Sequence, residues 1–397
     1  MCAFFAMLDV MRLELRSVLL GCLVAGLGCV SSPVEDEFEE RPWSEPDQWG
    51  SFDVGLRTLD FVDARGKRLV LDVWYPALVG PGDVIAQYEP TILTGQAYRD
   101  PPVDLHAGPH PVVAFSHGYL SIRFQSFDMN EYLASHGFVV VAPDHQYNTL
   151  LDVDRSKDVQ MMLERPDDLR HAVDHLFDLG QSPGVFQGAF REDAYAAVGH
   201  SFGSVTVMRL GGGQVDWEGM ATACARGDGM GNVCGALESI HSLADGSHGE
   251  EDDRVSTVIP MSPGIWYGFG EDGAGLETVR KPFVFGGGLD DILDWEREGE
   301  PSYLAMAAPK RLAFFEHAGH YGFSILCDVI PGFKPECGGV EKGFEDLDLI
   351  HRLTNTWVTA HLGETMLGDP RYSPWLESST ADEWEQITLH QVRDEMP

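Results

Sequence analysis

The chain has 397 residues, 44% of them hydrophobic, which is enough for one large core or one core with insertions. Its net charge of −36, with only six lysines, argues against nucleic acid and anionic membrane surfaces as partners. It has no internal repeat and no long low-complexity block, which excludes solenoid and fibrous architectures.

The chain opens on a targeting pattern. Arg12 and Arg16 precede an apolar run over 17–28 that is too short to span a bilayer comfortably, and the run ends in Leu27-Gly28-Cys29. Residues 1–29 therefore read as a signal peptide, with the mature chain periplasmic, anchored to an outer membrane or extracellular. Small residues before Cys29 resemble a bacterial lipoprotein cleavage site, although Gly26 stands where leucine is usual. Lipidation of Cys29 would attach the chain to a membrane; an ordinary signal peptide would release it. Residues 30–52 are acidic, contain proline and hold too little apolar surface to fold alone, so they read as a tether. The domain proper is expected over 53–397.

Leu56–Phe61 and Arg68–Tyr75 read as a hairpin turning at Ala64-Arg65-Gly66. Val112–Phe115 and Phe138–Val141 are continuous apolar runs, the pattern of parallel strands covered on both faces. Between them, 126–135 reads as a helix closed by Gly137. Asp167–Leu179 puts Leu169, Ala172, Val173, Leu176 and Phe177 on one helical stripe, with Pro166 in the first turn and Gly180 at the stop. Strand-like runs recur at Tyr195–Val198, Thr257–Met261, Pro282–Phe285 and Leu312–Phe315, and Leu347–Leu362 reads as a long closing helix. Strands alternating with helices predict an α/β fold with a mostly parallel sheet flanked by helices. Residues 211–255 are Gly-rich and acidic and break this rhythm, as a surface insertion near the rim of a site would. The insertion holds Cys224 and Cys234; Cys327 and Cys337 follow later. An even count in an exported chain predicts disulfides. Three connectivities are open and two local loops are the simplest. Free thiols are the alternative, while a zinc site lacks a close Cys-x-x-Cys pair.

The chemistry centres on Gly199-His200-Ser201-Phe202-Gly203, which follows a strand-like run and precedes a helix-like one over Ser204–Leu210. That setting is what a nucleophile elbow requires: a turn too sharp for side chains beside the serine. The alternative is a Gly-rich turn whose serine caps a helix. A serine nucleophile needs a base and a carboxylate to orient it. His320 lies just past the strand Leu312–Phe315, where the base belongs, with His317 as its competitor. Gly286-Gly287-Gly288-Leu289-Asp290-Asp291 follows another strand end; Asp290 is the expected acid and Asp291 the alternate, either of which could instead cap a helix. Backbone N–H groups of Phe202 and of Tyr119, in the loop Ser116-His117-Gly118-Tyr119, are the candidate oxyanion donors. Trp266, Tyr267 and Tyr321 are candidate pocket walls.

In order along the chain, Val73-Trp74-Tyr75-Pro76-Ala77, Phe115-Ser116-His117-Gly118, Ala134-Ser135-His136-Gly137-Phe138-Val139-Val140, Arg165-Pro166-Asp167-Asp168-Leu169-Arg170 and Gly199-His200-Ser201-Phe202-Gly203 appear. Over roughly 53–325 the chain resembles bacterial dienelactone-hydrolase-like esterases related to the platelet-activating factor acetylhydrolases, members of the α/β-hydrolase superfamily. The resemblance implies a Ser–His–Asp esterase for short or truncated acyl chains, with no metal and no cofactor. It supports Ser201, His320 and the amides of Tyr119 and Phe202. Two departures matter. Dienelactone hydrolases proper use a cysteine where this chain has Ser201. In the acetylhydrolases the acid follows the strand after the nucleophile, and here that stretch, Val258-Ile259-Pro260-Met261-Ser262-Pro263-Gly264, has no carboxylate.

The expected partner is thus a small-molecule ester, with no obligate protein partner. Two other readings stand beside it. One is a secreted polyester, lipid or peptide hydrolase of the same fold; the other is a surface binding protein that lost catalysis.

Overall fold

The structure, a computed structural model, describes residues 42–227, 234, 237, 251–270, 272–330 and 332–392. The expected signal peptide with Cys29, and most of the stretch 228–250, lie outside the described residues.

The strands are β1 (Asp53–Val62), β2 (Arg68–Ala77), β3 (Ile85–Gln87), β4 (Thr94–Arg99), β5 (His110–Ser116) and β6 (Val139–Pro143). They continue with β7 (Phe190–His200), β8 (Val255–Met261), β9 (Phe283–Gly287), β10 (Lys310–Phe315) and β11 (Ile387–Val392). Among the described residues they form one sheet in the order β11-β10-β9-β8-β7-β5-β6-β2-β1-β4-β3. From β6 to β10 neighbouring strands are parallel, while β2 runs antiparallel to β6 and β11 antiparallel to β10. Every residue of β5, β6 and β9 is buried, as strands covered on both faces require.

The main helices are α1 (Phe127–Ser135), α2 (Asp158–Gln181), α3 (Phe202–Leu210), α4 (Trp217–Arg226) and α5 (Leu347–Leu362). Side-chain alternation splits the core in two. Val112, Ala114, Val139 and Val141 face one cluster, with Leu169, Val173, Leu176 and Met208 of α2 and α3. Val113, Phe115, Val140 and Val198 face the other, with Leu133 of α1 and Leu353 and Trp357 of α5. The chain order doubles back between β5 and β7: β6 lies on one side of β5 and β7 on the other. The carboxyl ends of these strands leave the crevice in which α/β sheets place ligands.

Three expectations change. The helix expected at 167 begins at Asp158, so Pro166 sits inside it rather than in its first turn. Proline has no N–H for the carbonyl of Met162 one turn earlier. Nη1 of Arg209, from α3, donates to that oxygen instead. The end of the expected tether is docked: Gly50 N–H donates to Ser135 Oγ at 2.9 Å, Tyr132 Oη to the carbonyl of Pro46 at 2.8 Å, and Trp43 packs on the second core cluster. Its aromatic residues supply what its acidic ones could not. The edge strands β3, β4 and β11, too short or too polar to register, complete the sheet.

Both local disulfides are present, Cys224–Cys234 and Cys327–Cys337. Each constrains a short loop, a contribution of roughly 2–4 kcal/mol by the chain-entropy account. Among the described residues no helix is long and apolar enough to cross a membrane.

Docking of residues 42–52 carries a pH signature. His136 Nε2–H donates to the carbonyl of Gln48 at 2.8 Å. Burial lowers the pKa of His136 to about 4, against a small opposing effect of that carbonyl. The folded value lies below that of the unfolded chain, about 6.5, so the unfolded state binds the extra proton first. The stability that neutral His136 contributes is complete above pH ~6.5 and is lost as the pH falls towards 4, about 3 kcal/mol in all. Relative to His136→Gln, which cannot titrate, the wild type is expected to lose that much between pH 7 and 4 in denaturant titrations. Parallel stability curves for the two proteins would contradict this.

Candidate active site

Ser201 occupies the turn between β7 and α3 with φ 57° and ψ −119°, a strained conformation for a residue with a side chain. The flanking glycines are obligatory. A Cβ on Gly199 would lie 2.2 Å from the carbonyl oxygen of Gly203, and one on Gly203 would lie 2.0 Å from that of Ser116. Ser201 N–H donates to the carbonyl of Met261 at 2.9 Å, which fixes the turn to the end of β8.

His320 follows β10 and places Nε2 2.9 Å from Ser201 Oγ. Its Nδ1 lies 2.8 Å from Asp290 Oδ2, on the turn after β9. The other oxygen of Asp290 accepts from the N–H groups of Ile292 at 2.9 Å and Leu293 at 2.8 Å. Asp290 therefore both caps the turn and meets the imidazole, two tasks that its sequence setting offers as alternatives. Asp291 is exposed and pairs with Lys334 at 3.4 Å. His317 is half-buried and bonds to neither Ser201 nor Asp290. Burial pushes the Asp290 carboxyl up, but the hydrogen bond and charge of His320 and the two amides outweigh it, and the pKa lies below the ordinary carboxylate value. An ionised Asp290 favours Nδ1–H on His320, which leaves Nε2 free to accept the Ser201 proton.

The loop after β5 passes over Ser201: a Cβ on Gly118 would lie 3.4 Å from that of Ser201. The N–H groups of Tyr119 and Phe202 have no hydrogen-bond partner among the described residues. A cavity of about 150 Å³ reaches Ser201. Met162, Phe202, Val205, Ile265, Ile292 and Leu293 give it apolar walls, and Tyr119 and Asp158 a polar one. Tyr119 Oη donates to Asp158 Oδ2 at 2.6 Å. Trp266 and Tyr321 do not line this cavity. Tyr321 stacks edge-on against His320 at 5.2 Å between ring centres, and Trp266 N–H donates to the half-buried Glu298 at 3.1 Å. Tyr267 lies in the short helical turn Trp266–Phe269.

Several contacts here could not be read from the sequence. Glu336, buried next to Cys337, accepts from Tyr321 N–H at 3.0 Å and braces the loop carrying His320. Ser116, His145 and Asp168 form a second serine–histidine–aspartate relay, at 3.0 and 3.1 Å. All three are fully buried, so no substrate reaches them.

A family model described as chlorophyllase matches residues 102–223, which include β5 to β7, Ser201 and α3. No curated protein sequence matches the chain. Among solved structures, a ferulic acid esterase from Streptomyces cinnamoneus superposes with a TM-score of 0.57 at 18% identity, covering 86% of this chain and 97% of its own. With the doubled-back parallel sheet and the strand–turn–helix at Ser201, that likeness shows the fold of this chain to be the α/β-hydrolase fold.

Proposed function

We propose that this chain is a serine hydrolase of carboxylic esters, working through an acyl-enzyme intermediate. One observation carries the reading: Ser201 Oγ lies 2.9 Å from an imidazole nitrogen whose partner nitrogen lies 2.8 Å from a buried carboxylate. Ser201 attacks the ester carbonyl as His320 Nε2 takes its proton. The developing oxyanion is met by the N–H groups of Tyr119 and Phe202. His320 returns the proton to the departing alcohol, and water repeats the sequence to free the acid and restore Ser201. Asp290 keeps the imidazole in the required tautomer and stabilises the transient imidazolium.

The partial chlorophyllase match and the fold shared with a ferulic acid esterase support an ester as substrate. The cavity supports a short acyl group. Its roughly 150 Å³ is about five water volumes, room for a small, mainly apolar substituent. This agrees with the resemblance to acetylhydrolase-like esterases. The two disulfides support an oxidising compartment, and export through the leader, with lipidation at Cys29, completes the reading. A series of p-nitrophenyl esters from acetyl to dodecanoyl tests it. Turnover is expected to be highest for the short members and to decline as the acyl chain outgrows the cavity. No turnover of any member by folded protein would overturn the ester assignment, and a maximum at dodecanoyl would overturn the short-chain one.

A further inference from the structure

An oxyanion donor is useful only if its N–H points at the reacting carbonyl, and the loop carrying Tyr119 is held from several sides. The peptide joining His117 and Gly118 is clamped at both ends. Its N–H donates to Gln125 Oε1 at 2.7 Å, and its carbonyl accepts from Arg165 Nη2. In the next peptide the carbonyl of Gly118 accepts from His117 Nδ1–H at 2.7 Å. The C=O and N–H of a trans peptide point in opposite directions, so holding that carbonyl aims the Tyr119 N–H the other way. The tautomer of His117 is set as well, because its Nε2 accepts from the N–H of His145 at 3.2 Å.

Gln125 carries this arrangement further. With Oε1 committed to Gly118, its amide nitrogen faces His200 and donates to Nδ1 at 2.9 Å. His200 Nε2–H then donates to the carbonyl of His320 at 2.9 Å. Donor and acceptor roles run one way along the chain: Gly118 N–H to Gln125, Gln125 to His200, His200 to the His320 carbonyl. Gln125 and His200 are 7% and 2% exposed, so water cannot substitute for a missing bond at low cost. Only a neutral side chain with both a donor and an acceptor fits between Gly118 and His200.

We propose that Gln125 is a positioning residue for ester hydrolysis, holding the Tyr119 N–H in register with Ser201 and His320 by tying the loop after β5, through His200, to both. The proposal rests on the serine-hydrolase reading above.

Gln125→Met keeps the length of the side chain and removes both hydrogen bonds. Active sites are titrated with a fluorophosphonate, and kcat is expressed per titrated site, so unfolded material does not enter. The variant is expected to lose ~10- to 100-fold in kcat with KM within about twofold, less than outright loss of an oxyanion donor. Its affinity for a short alkyl trifluoromethyl ketone, whose adduct on Ser201 bears an oxyanion, falls by the same factor. Gln125→Leu, which likewise makes neither hydrogen bond, serves if the Met variant does not fold, and shows the same selective loss in kcat. The double variant Gln125→Met/His200→Phe is expected to lose no more than the worse single variant, because both cut one chain of bonds. Wild-type kcat per site in Gln125→Met or in Gln125→Leu, unchanged inhibitor affinity, or additive losses in the double variant would overturn the proposal. Failure of the wild-type protein to titrate at all would instead overturn the serine-hydrolase reading, which separates the two.

Discussion

Ser201→Ala is expected to lower kcat/KM for a short-chain p-nitrophenyl ester by ~10⁴- to 10⁶-fold, and His320→Ala by a similar factor. Without Oγ there is no acyl-enzyme, and without Nε2 the base that lies 2.9 Å from Oγ is lost. The two groups act as one unit, so the double variant is expected to lose no more than either single one. A double variant further impaired by the product of the two factors would mean that the residues act independently. Ser201→Ala is expected to melt close to the wild type, because it removes one oxygen at the cavity wall; His320→Ala is expected to melt lower, because it also removes a buried ring and leaves Asp290 without its imidazole partner.

Asp290→Asn is expected to cost ~10⁴-fold in kcat, and the hydrogen bonds around the carboxylate say why. Oδ1 accepts from the N–H groups of Ile292 and Leu293, so the carbonyl oxygen of an introduced asparagine amide stays there. Its NH₂ group then faces His320 Nδ1, which must accept. The imidazole is driven to the Nε2–H tautomer, and Nε2 can no longer accept the Ser201 proton. Asp291→Asn, changed on an exposed side chain that pairs with Lys334 and not with His320, is expected to stay within twofold of wild type in the same assay. Equal losses at 290 and 291, or full activity in Asp290→Asn, would remove Asp290 from the mechanism.

Much of this was legible in the sequence for identifiable reasons. The buried parallel strands announce themselves as apolar runs, and α5 spans the expected Leu347–Leu362. The glycines around Ser201 state the turn, because each fills a space that admits no Cβ. The placement of Asp290 and His320 after successive strand ends follows from the same alternation. What stayed hidden depends on long-range partners. Pro166 read as a helix start because the arginine that meets the carbonyl of Met162 lies 47 residues away. Gln125 is one polar residue in a loop until the fold brings it to Gly118 and His200. The cavity walls were only partly legible: Tyr119 and Phe202 line it, whereas Trp266 and Tyr321 do not. Aromatic residues near the motifs drew attention, but aliphatic side chains at Met162, Val205, Ile265, Ile292 and Leu293 build most of the lining, and nothing local distinguishes those from core.

The central claim is that Ser201 is an activated nucleophile. A fluorophosphonate reports this directly: Oγ attacks phosphorus, fluoride departs, and the adduct stays on the serine. Intact-mass and peptide-mass measurement after labelling of the folded wild-type chain is expected to give one adduct per molecule, on the peptide containing Ser201, and none in Ser201→Ala. No adduct on folded wild-type protein, or an undiminished adduct in Ser201→Ala, would contradict it.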